Sequence, residues 1–282
     1  MKGNKMPYDY SNELQKVRDY YEGDPLQRRF SALVTGETNA GKTYMLRTAR
    51  KPIHIDSFDP GGTKCLSDLI KSGDVIADTT FEDEDPFEPK AFAAWKKAID
   101  LRFQIGYFEQ FGTYAVDSAT MLGIAIMNDQ LKSRSCAGEA PQRNRDYMPQ
   151  KIALTNYIRK LMRLPCDFIL TGHLKEIKKV LSVDTKTGIM RDEIKYRFYV
   201  TGDAVVTIPL LFDEIYVIVG EEGRGGPKRE MLTDSLGTYI ARSRLKQDGF
   251  LNAIEPPDIK AILKKAGFPA EDKPRLKQGG EI

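Results

Sequence analysis

Eight consecutive residues, Gly36-Glu37-Thr38-Asn39-Ala40-Gly41-Lys42-Thr43, combine two glycines, an ammonium and a hydroxyl at a spacing suited to enclosing phosphate. Glycine lets a backbone curl until successive amides point inward at phosphate oxygens. At this spacing the lysine reaches the outer phosphates and the threonine hydroxyl meets Mg2+. The expected ligands are therefore ATP and Mg2+. The whole octapeptide supplies the nucleotide contacts, with Lys42 as the catalytic cation and Thr43 on the metal. An apolar stretch at 30–34 (FSALV) leads into the loop, and a helix is expected from Lys42 to residue 49. That is the strand–loop–helix context the motif requires, and the helix start adds partial positive charge.

A phosphate loop of this kind needs a carboxylate at the end of a neighbouring strand to hold the metal's water shell. Asp117 closes the apolar run Tyr114-Ala115-Val116 and is followed by Ser118. Either residue could instead cap the helix expected from Ala119. A second carboxylate could orient the attacking water. Asp59 lies beside the Gly61-Gly62 turn just past the second strand, with Asp56 three residues earlier as the weaker alternative. Asp before Pro-Gly is also ordinary turn chemistry, so the base stays open between catalytic and structural readings.

Positioning these groups requires strands alternating with helices. Strands are expected at 30–34, 53–55, 75–77, 114–116 and 167–170, with helices at 42–49, 65–72, 89–105, 119–132 and 149–163 between or after them. Such alternation specifies an α/β fold with a mostly parallel sheet covered on both faces. Residues 78–89 are acidic and without a base, which suggests a solvated loop, and 133–148 suggests a long mobile loop. Beyond His173 the pattern changes to hairpin-like strands at 180–183 and 194–200 around a turn at 184–188. A helix at 203–211, a strand at 214–219, a glycine-rich turn at 220–226, a strand at 238–242 and a final helix at 257–266 follow. The expected organisation is an N-terminal arm (1–29) bearing a short helix at 12–21, an ATPase core (30–250), and a C-terminal helix with a flexible tail (251–282).

Composition narrows the function classes. The chain has 282 residues, 41% hydrophobic and 29% charged, enough to bury a core of normal size. Its 43 basic and 40 acidic residues leave a net charge of +3, too small to announce a nucleic-acid binder without local clustering. Three scattered cysteines and two histidines offer no structural zinc site, and suggest a reduced, cytoplasmic protein. No apolar run approaches the ~20 residues that span a bilayer, so no membrane partner is expected.

Taken in order, Gly36–Thr43, Ile55-Asp56-Ser57-Phe58-Asp59 with Gly61-Gly62, Val116-Asp117-Ser118, Leu170-Thr171-Gly172-His173 and Ile240-Ala241-Arg242-Ser243-Arg244 resemble the RecA-like ATPase core. In detail they are most similar to phage-encoded RecA-related ATPases of single-strand annealing recombination. The resemblance spans roughly residues 30–250. It implies a RecA-like P-loop fold with C-terminal hairpin strands. It also implies a polar residue at His173 that senses the terminal phosphate, and Arg242 and Arg244 as basic fingers inserted into a neighbour's site. A satisfied strand-end histidine and a solvated basic strand end are the plainer readings of those positions. One departure stands out: where RecA has its catalytic Glu, this chain has Phe58, with Asp59 one residue further.

The same resemblance implies single-stranded DNA as a partner and self-association into a ring or filament, with a single-strand-binding protein as an additional candidate. The chain would then act in the cytoplasm of the host cell if phage-encoded. Two basic stretches follow the strands ending at Asp117 and His173. Lys132, Arg134, Arg143, Arg145 and Lys151 surround Tyr147; Lys175, Lys178, Lys179, Lys186, Arg191, Lys195 and Arg197 surround Tyr196. Cations would neutralise phosphates and aromatics could stack on bases, although a plain solvated face fits as well. The leading expectation is an oligomeric DNA-dependent ATPase of recombination or replication. The alternatives are a nucleotide-switched adaptor, such as a helicase loader or DNA-packaging subunit, and a small-molecule kinase.

Overall fold

The computed structural model describes residues 10–23, 29–143, 145–183, 190–223, 226–245 and 249–276, with backbone alone at 179–183, 190–193, 221–223 and 226–227. The expected turn at 184–188, the last residues of the tail and the start of the arm lie outside the described residues. The elements are α1 (Ser11–Gly23), β1 (Ser31–Gly36), α2 (Lys42–Met45), β2 (Ile53–Ser57), α3 (Ser67–Lys71), β3 (Val75–Asp78), α4 (Ala91–Gln104), β4 (Thr113–Asp117), α5 (Ala119–Ser133) and α6 (Tyr147–Leu161). They continue with β5 (Asp167–Val183), β6 (Met190–Phe198), α7 (Ala204–Thr207), β7 (Glu214–Gly223), β8 (Gly226–Leu232), β9 (Arg242–Ser243), β10 (Ile254–Glu255) and α8 (Ile259–Lys265).

The strands build a ten-stranded, mixed sheet in the order β10-β8-β7-β1-β5-β4-β2-β3, with β6 on β5 and β9 on β7. Its central part, from β7 through β1, β5, β4 and β2 to β3, is entirely parallel. A parallel strand covered on both faces has nowhere to put polar side chains, and β1 is buried along its whole length. Alternation sends Ala32 and Val34 to one core and Leu33 to the other. The Leu33 side is filled by α4, α5 and α6. On α4, Ala91, Phe92, Trp95 and Ile99 recur at helical spacing and face inward. The Val34 side holds Met45 and Leu46 together with Ile259, Ile262 and Leu263 of α8. The segment after residue 250 thus joins the same core, and β10 extends the same sheet. By contrast, α1 buries none of its side chains. Among the described residues no helix is long and apolar enough to cross a membrane.

Several elements differ from the sequence expectations. The phosphate-loop helix stops at Met45, and a 3-10 turn carries the chain through Leu46–Thr48. The strand expected to end at His173 runs on to Val183 as β5 and pairs antiparallel with β6. The two short strands foreseen around 184–188 are therefore the arms of one hairpin that is continuous with the central sheet. β7 pairs antiparallel with β8, a strand the sequence reading missed because Lys228-Arg229-Glu230 breaks any apolar pattern. The strand foreseen at 238–242 shrinks to β9, which pairs with only the first two residues of β7. In the 133–148 stretch, Arg134 forms an ion pair with the buried Asp146, and the helix starts at Tyr147, two residues before Pro149.

Candidate nucleotide site

Strand order decides which side chains meet. β5 separates β1 from β4, so the phosphate loop at the end of β1 and Asp117 at the end of β4 flank one gap at the carboxyl edge of the sheet. A crevice at that edge is where open α/β sheets place ligands. The cleft measures about 570 Å³ and is lined by Thr38, Asn39, Gly41–Tyr44, Asp59–Gly62, Lys64, Cys65, His173 and Arg229.

The loop's backbone demands its glycines. A Cβ on Gly36 would lie 2.8 Å from the Ile218 carbonyl oxygen, and Gly41 has φ of 100°, in the left-handed region. Lys42 is buried, and its Nζ donates to the carbonyl oxygens of Gly36 at 3.1 Å and Glu37 at 2.8 Å. Burial lowers the lysine's pKa, opposed by the nearby charges of Asp117 and Asp59. Because α2 is only four residues long, helix polarity contributes little here. The Lys42 ammonium supplies the positive potential.

Thr43 Oγ1 donates to Asp117 Oδ2 at 2.7 Å, while Thr171 Oγ1 donates to Asp117 Oδ1. Burial pushes the Asp117 pKa up and the charge of Asp59 adds to this, with the two threonine hydroxyls and Lys42 opposing. Hard oxygen donors held this close fit Mg2+, which prefers oxygen ligands and retains several waters. Thr43 and Asp117 would hold such an ion. Ser118 settles the capping question: its hydroxyl accepts from the Met121 amide at the start of α5, leaving Asp117 free of that duty.

Asp59 faces the loop from the end of β2. Its Oδ1 accepts from Ser118 Oγ at 2.8 Å, and its Oδ2 lies 3.2 Å from His173 Nε2. Burial raises the Asp59 pKa, but the hydrogen bonds from His173 and Ser118 together with the charges of His173 and Lys42 more than offset it, and the carboxyl sits below its usual range. His173 pairs in register with Gly36, the first loop residue, and its amide donates to Thr120 Oγ1 at 3.1 Å. Phosphate loop, Asp117, Asp59 and His173 are thus brought together.

Asp56 is not among them. It is fully buried and belongs to a separate network with His54, Trp95, Arg102 and Tyr114. His54, Asp56 and Asp78 form a cluster of metal-ligand type among the described residues, but Arg102 bridges both carboxylates and supplies the positive charge. Arg242 and Arg244 are also elsewhere. They flank the start of β7, three to four strand residues below the level of the loop, or roughly 10–13 Å. Arg242 donates to the Phe212 carbonyl oxygen at 2.9 Å, and Arg244 pairs with Asp213 at 2.7 Å.

Sequence reasoning missed three contributors. Thr171 shares a strand face with His173 by alternation, a signal available in the Leu170–His173 motif. Ser118 was seen only as a cap. Arg229 lies on the unforeseen strand β8. The first basic stretch is largely occupied: Arg134 is paired, Lys132 donates to the Pro89 carbonyl oxygen, and Lys151 pairs with Asp203. In the second stretch Lys175, Lys178, Lys195 and Arg197 stand on the β5–β6 hairpin, with Lys175 and Lys178 exposed. Lys179 and Arg191 are placed by backbone only, and Lys186 lies outside the described residues.

Strand order and phosphate loop together define the class: an α/β fold with a mostly parallel central sheet and a phosphate loop at the carboxyl edge of β1. Among solved structures the chain is similar to a KaiC-like protein from the hyperthermophilic archaeon Pyrococcus horikoshii, at 11% identity and a TM-score of 0.37, over 72% of this chain and 77% of that one. No family model and no curated protein matches the sequence.

Proposed function

We propose that the chain is a Mg2+-dependent ATPase that works as an assembly on single-stranded DNA, in recombination or replication of the phage-encoded RecA-related type. The observation that carries the ATPase reading is the convergence of Lys42, the Thr43–Asp117 pair and the Asp59–His173 pair on one cleft. Loop amides and Lys42 bind the phosphates. Thr43 and Asp117 hold the metal, which would neutralise charge on the outer phosphates. Asp59, held in orientation by Ser118 and His173, accepts a hydrogen bond from a water and aims its oxygen at the terminal phosphorus. As that O–P bond forms the bond to ADP breaks, and the water's proton passes to the released phosphate. The lowered pKa of Asp59 keeps it ionised at neutral pH and suits orientation of the water better than strong proton abstraction.

The DNA reading rests on continuity. His173 and the cations Lys175 and Lys178 lie on one strand, so a residue at the phosphates and residues suited to a nucleic-acid backbone share a single element. The assembly reading rests on the family resemblance and on the position of Arg242 and Arg244. Away from their own cleft, they can act in hydrolysis only in a neighbouring copy, and Arg244 would first have to leave Asp213.

Turnover of ATP titrated with single-stranded DNA tests the whole reading. Stimulation by DNA is expected, and Lys42→Ala should lose about 100-fold or more, as when a charge-stabilising donor is removed. Unchanged turnover in that variant removes the ATPase reading, and absence of stimulation removes the DNA reading. Mixing Arg244→Ala with Lys42→Ala protomers should restore part of the activity if each supplies what the other lacks. No restoration ends the shared-site reading.

A further inference from the structure

Arg102 in the Asp56 network and Arg242 and Arg244 at the start of β7 are held by partners within the fold. Arg229, which lines the cleft with Lys42 and Lys64, is held differently. Arg229 sits on β8 opposite Gly220, two residues past the Ile218–Gly36 level, so the β7–β8 hairpin rises above the carboxyl edge of the sheet. Alternation places Arg229 on the same side as Met231, which is buried in the core beneath α2. The side chain therefore lies over the phosphate loop. A Cβ built on Gly41 would fall 2.7 Å from Arg229 Cδ and Nε, so the arginine side chain lies directly against the loop backbone. Among the described residues no carboxylate lies within ion-pair distance of the guanidinium. Its group instead faces the Tyr44 ring at 5.5 Å, with Arg47 over the same ring at 4.7 Å.

Two groups of residues line the cleft. Thr43, Asp59 and Gly62 gather around Asp117, with His173 on Asp59, where the terminal phosphate and metal would lie. Gly41, Tyr44 and Arg229 lie against one another as the second group. In a phosphate loop of this spacing the amides cradle the inner phosphates while the lysine reaches outward. Resting on the nucleotide reading above, we infer that Arg229 is a second phosphate-binding cation, supplied by the chain itself, that grips the sugar-proximal phosphate of a nucleoside di- or triphosphate. Guanidinium suits the task because it presents several donors in a plane and stacks on an aromatic ring without losing them. Tyr44 and Gly41 fix its approach, the first by a flat surface and the second by lacking a side chain. An inner-phosphate contact makes the same interaction with ATP and with ADP. It serves binding and leaves the chemical step alone.

The test is the affinity of wild type and Arg229→Gln for Mg-ATP and Mg-ADP, by displacement of a fluorescent nucleotide, with turnover at saturating ATP measured alongside. Arg229→Gln should weaken ATP and ADP alike, each by about tenfold, the worth of one charged hydrogen bond, and saturated turnover should stay within about twofold. Loss confined to ATP, or a fall in saturated turnover with ADP binding intact, places the guanidinium at the terminal phosphate and overturns the inference. Unchanged affinity for both overturns it as well. Should the glutamine variant fail to fold, Arg229→Met, of similar length and without charge, carries the same comparison: a shared loss supports the assignment, and no loss or a loss limited to ATP defeats it. Wild type that binds neither nucleotide sinks the parent reading, an outcome distinct from wild type that binds while the variant is unaffected.

Discussion

Asp56 and Asp59 lie three residues apart at the end of β2, and their carboxylates have different surroundings. A carboxylate offers about four hydrogen-bonding positions. At Asp56 all four are filled: His54 Nε2 and Arg102 Nη1 on Oδ1 at 2.8 and 2.7 Å, Trp95 Nε1 and Tyr114 Oη on Oδ2 at 2.8 and 2.5 Å. At Asp59, among the described residues, one partner meets each oxygen, and the rest of the group looks into the cleft toward Lys42. Asp117 is filled to the same half measure by Thr43 and Thr171. Saturation fixes a carboxylate as structure, and partial satisfaction leaves it able to take a metal's water or a reacting one. Burial does not separate the cases, since Asp56 and Asp117 are both fully buried.

The contrast can be broken by paired substitutions. Removing Asp59 as Asp59→Ala should cost turnover about 1,000-fold, within the range for a positioned base, while leaving the urea midpoint close to wild type. A collapse of stability there would make Asp59 structural and erase the contrast. Asp56→Ala should do the reverse. It strands three buried donors and half of the Arg102 pairing, at about 3 kcal/mol of stability. Burial raises the Asp56 pKa, but His54, Arg102 and Tyr114 outweigh it and the folded value sits below the unfolded one. Its contribution is therefore complete above the ordinary carboxylate range and fades as pH falls through the folded value. Urea unfolding at pH 7 and in strong acid should show the wild-type advantage over Asp56→Ala narrowing on acidification. A small stability effect of the opposite sign is expected at Asp117, whose folded pKa is raised. Its charged form then costs stability at neutral pH, a cost that vanishes below the unfolded value. Asp117→Asn should abolish turnover yet melt slightly higher than wild type at pH 7. A lower melting temperature would mean that Asp117, like Asp56, holds the fold.

That contrast also marks what could be read in the sequence. The loop octapeptide, the strand before it and the acid after Val116 were legible because each is local: a motif, an apolar run, a strand end. The parallel core followed from strands alternating with helices. The fate of Asp56 was not legible, because Trp95, Arg102 and Tyr114 arrive from 39 to 58 residues away in sequence. β8 was hidden because its charged start gives no alternation, and with it Arg229 was missed. The continuation of β5 was hidden because the apolar run stops at Leu170 and Thr171, Gly172 and His173 follow it. Arg242 and Arg244 were legible as a basic pair, but their level on the sheet depends on how β9 pairs with β7, which no spacing rule supplies.

β5 has a mechanical consequence. One end is clamped between the phosphate-loop strand and the Asp117 strand, and from His173 the same backbone extends ten further residues to Val183. At about 3.3 Å per residue that is an arm of roughly 33 Å. A tilt of about 5° at its root, geometry alone applied to that length, sweeps the far end through roughly 3 Å. Small displacements in the cleft are thereby enlarged along the arm, up to the register shift between Val180 and Ser182.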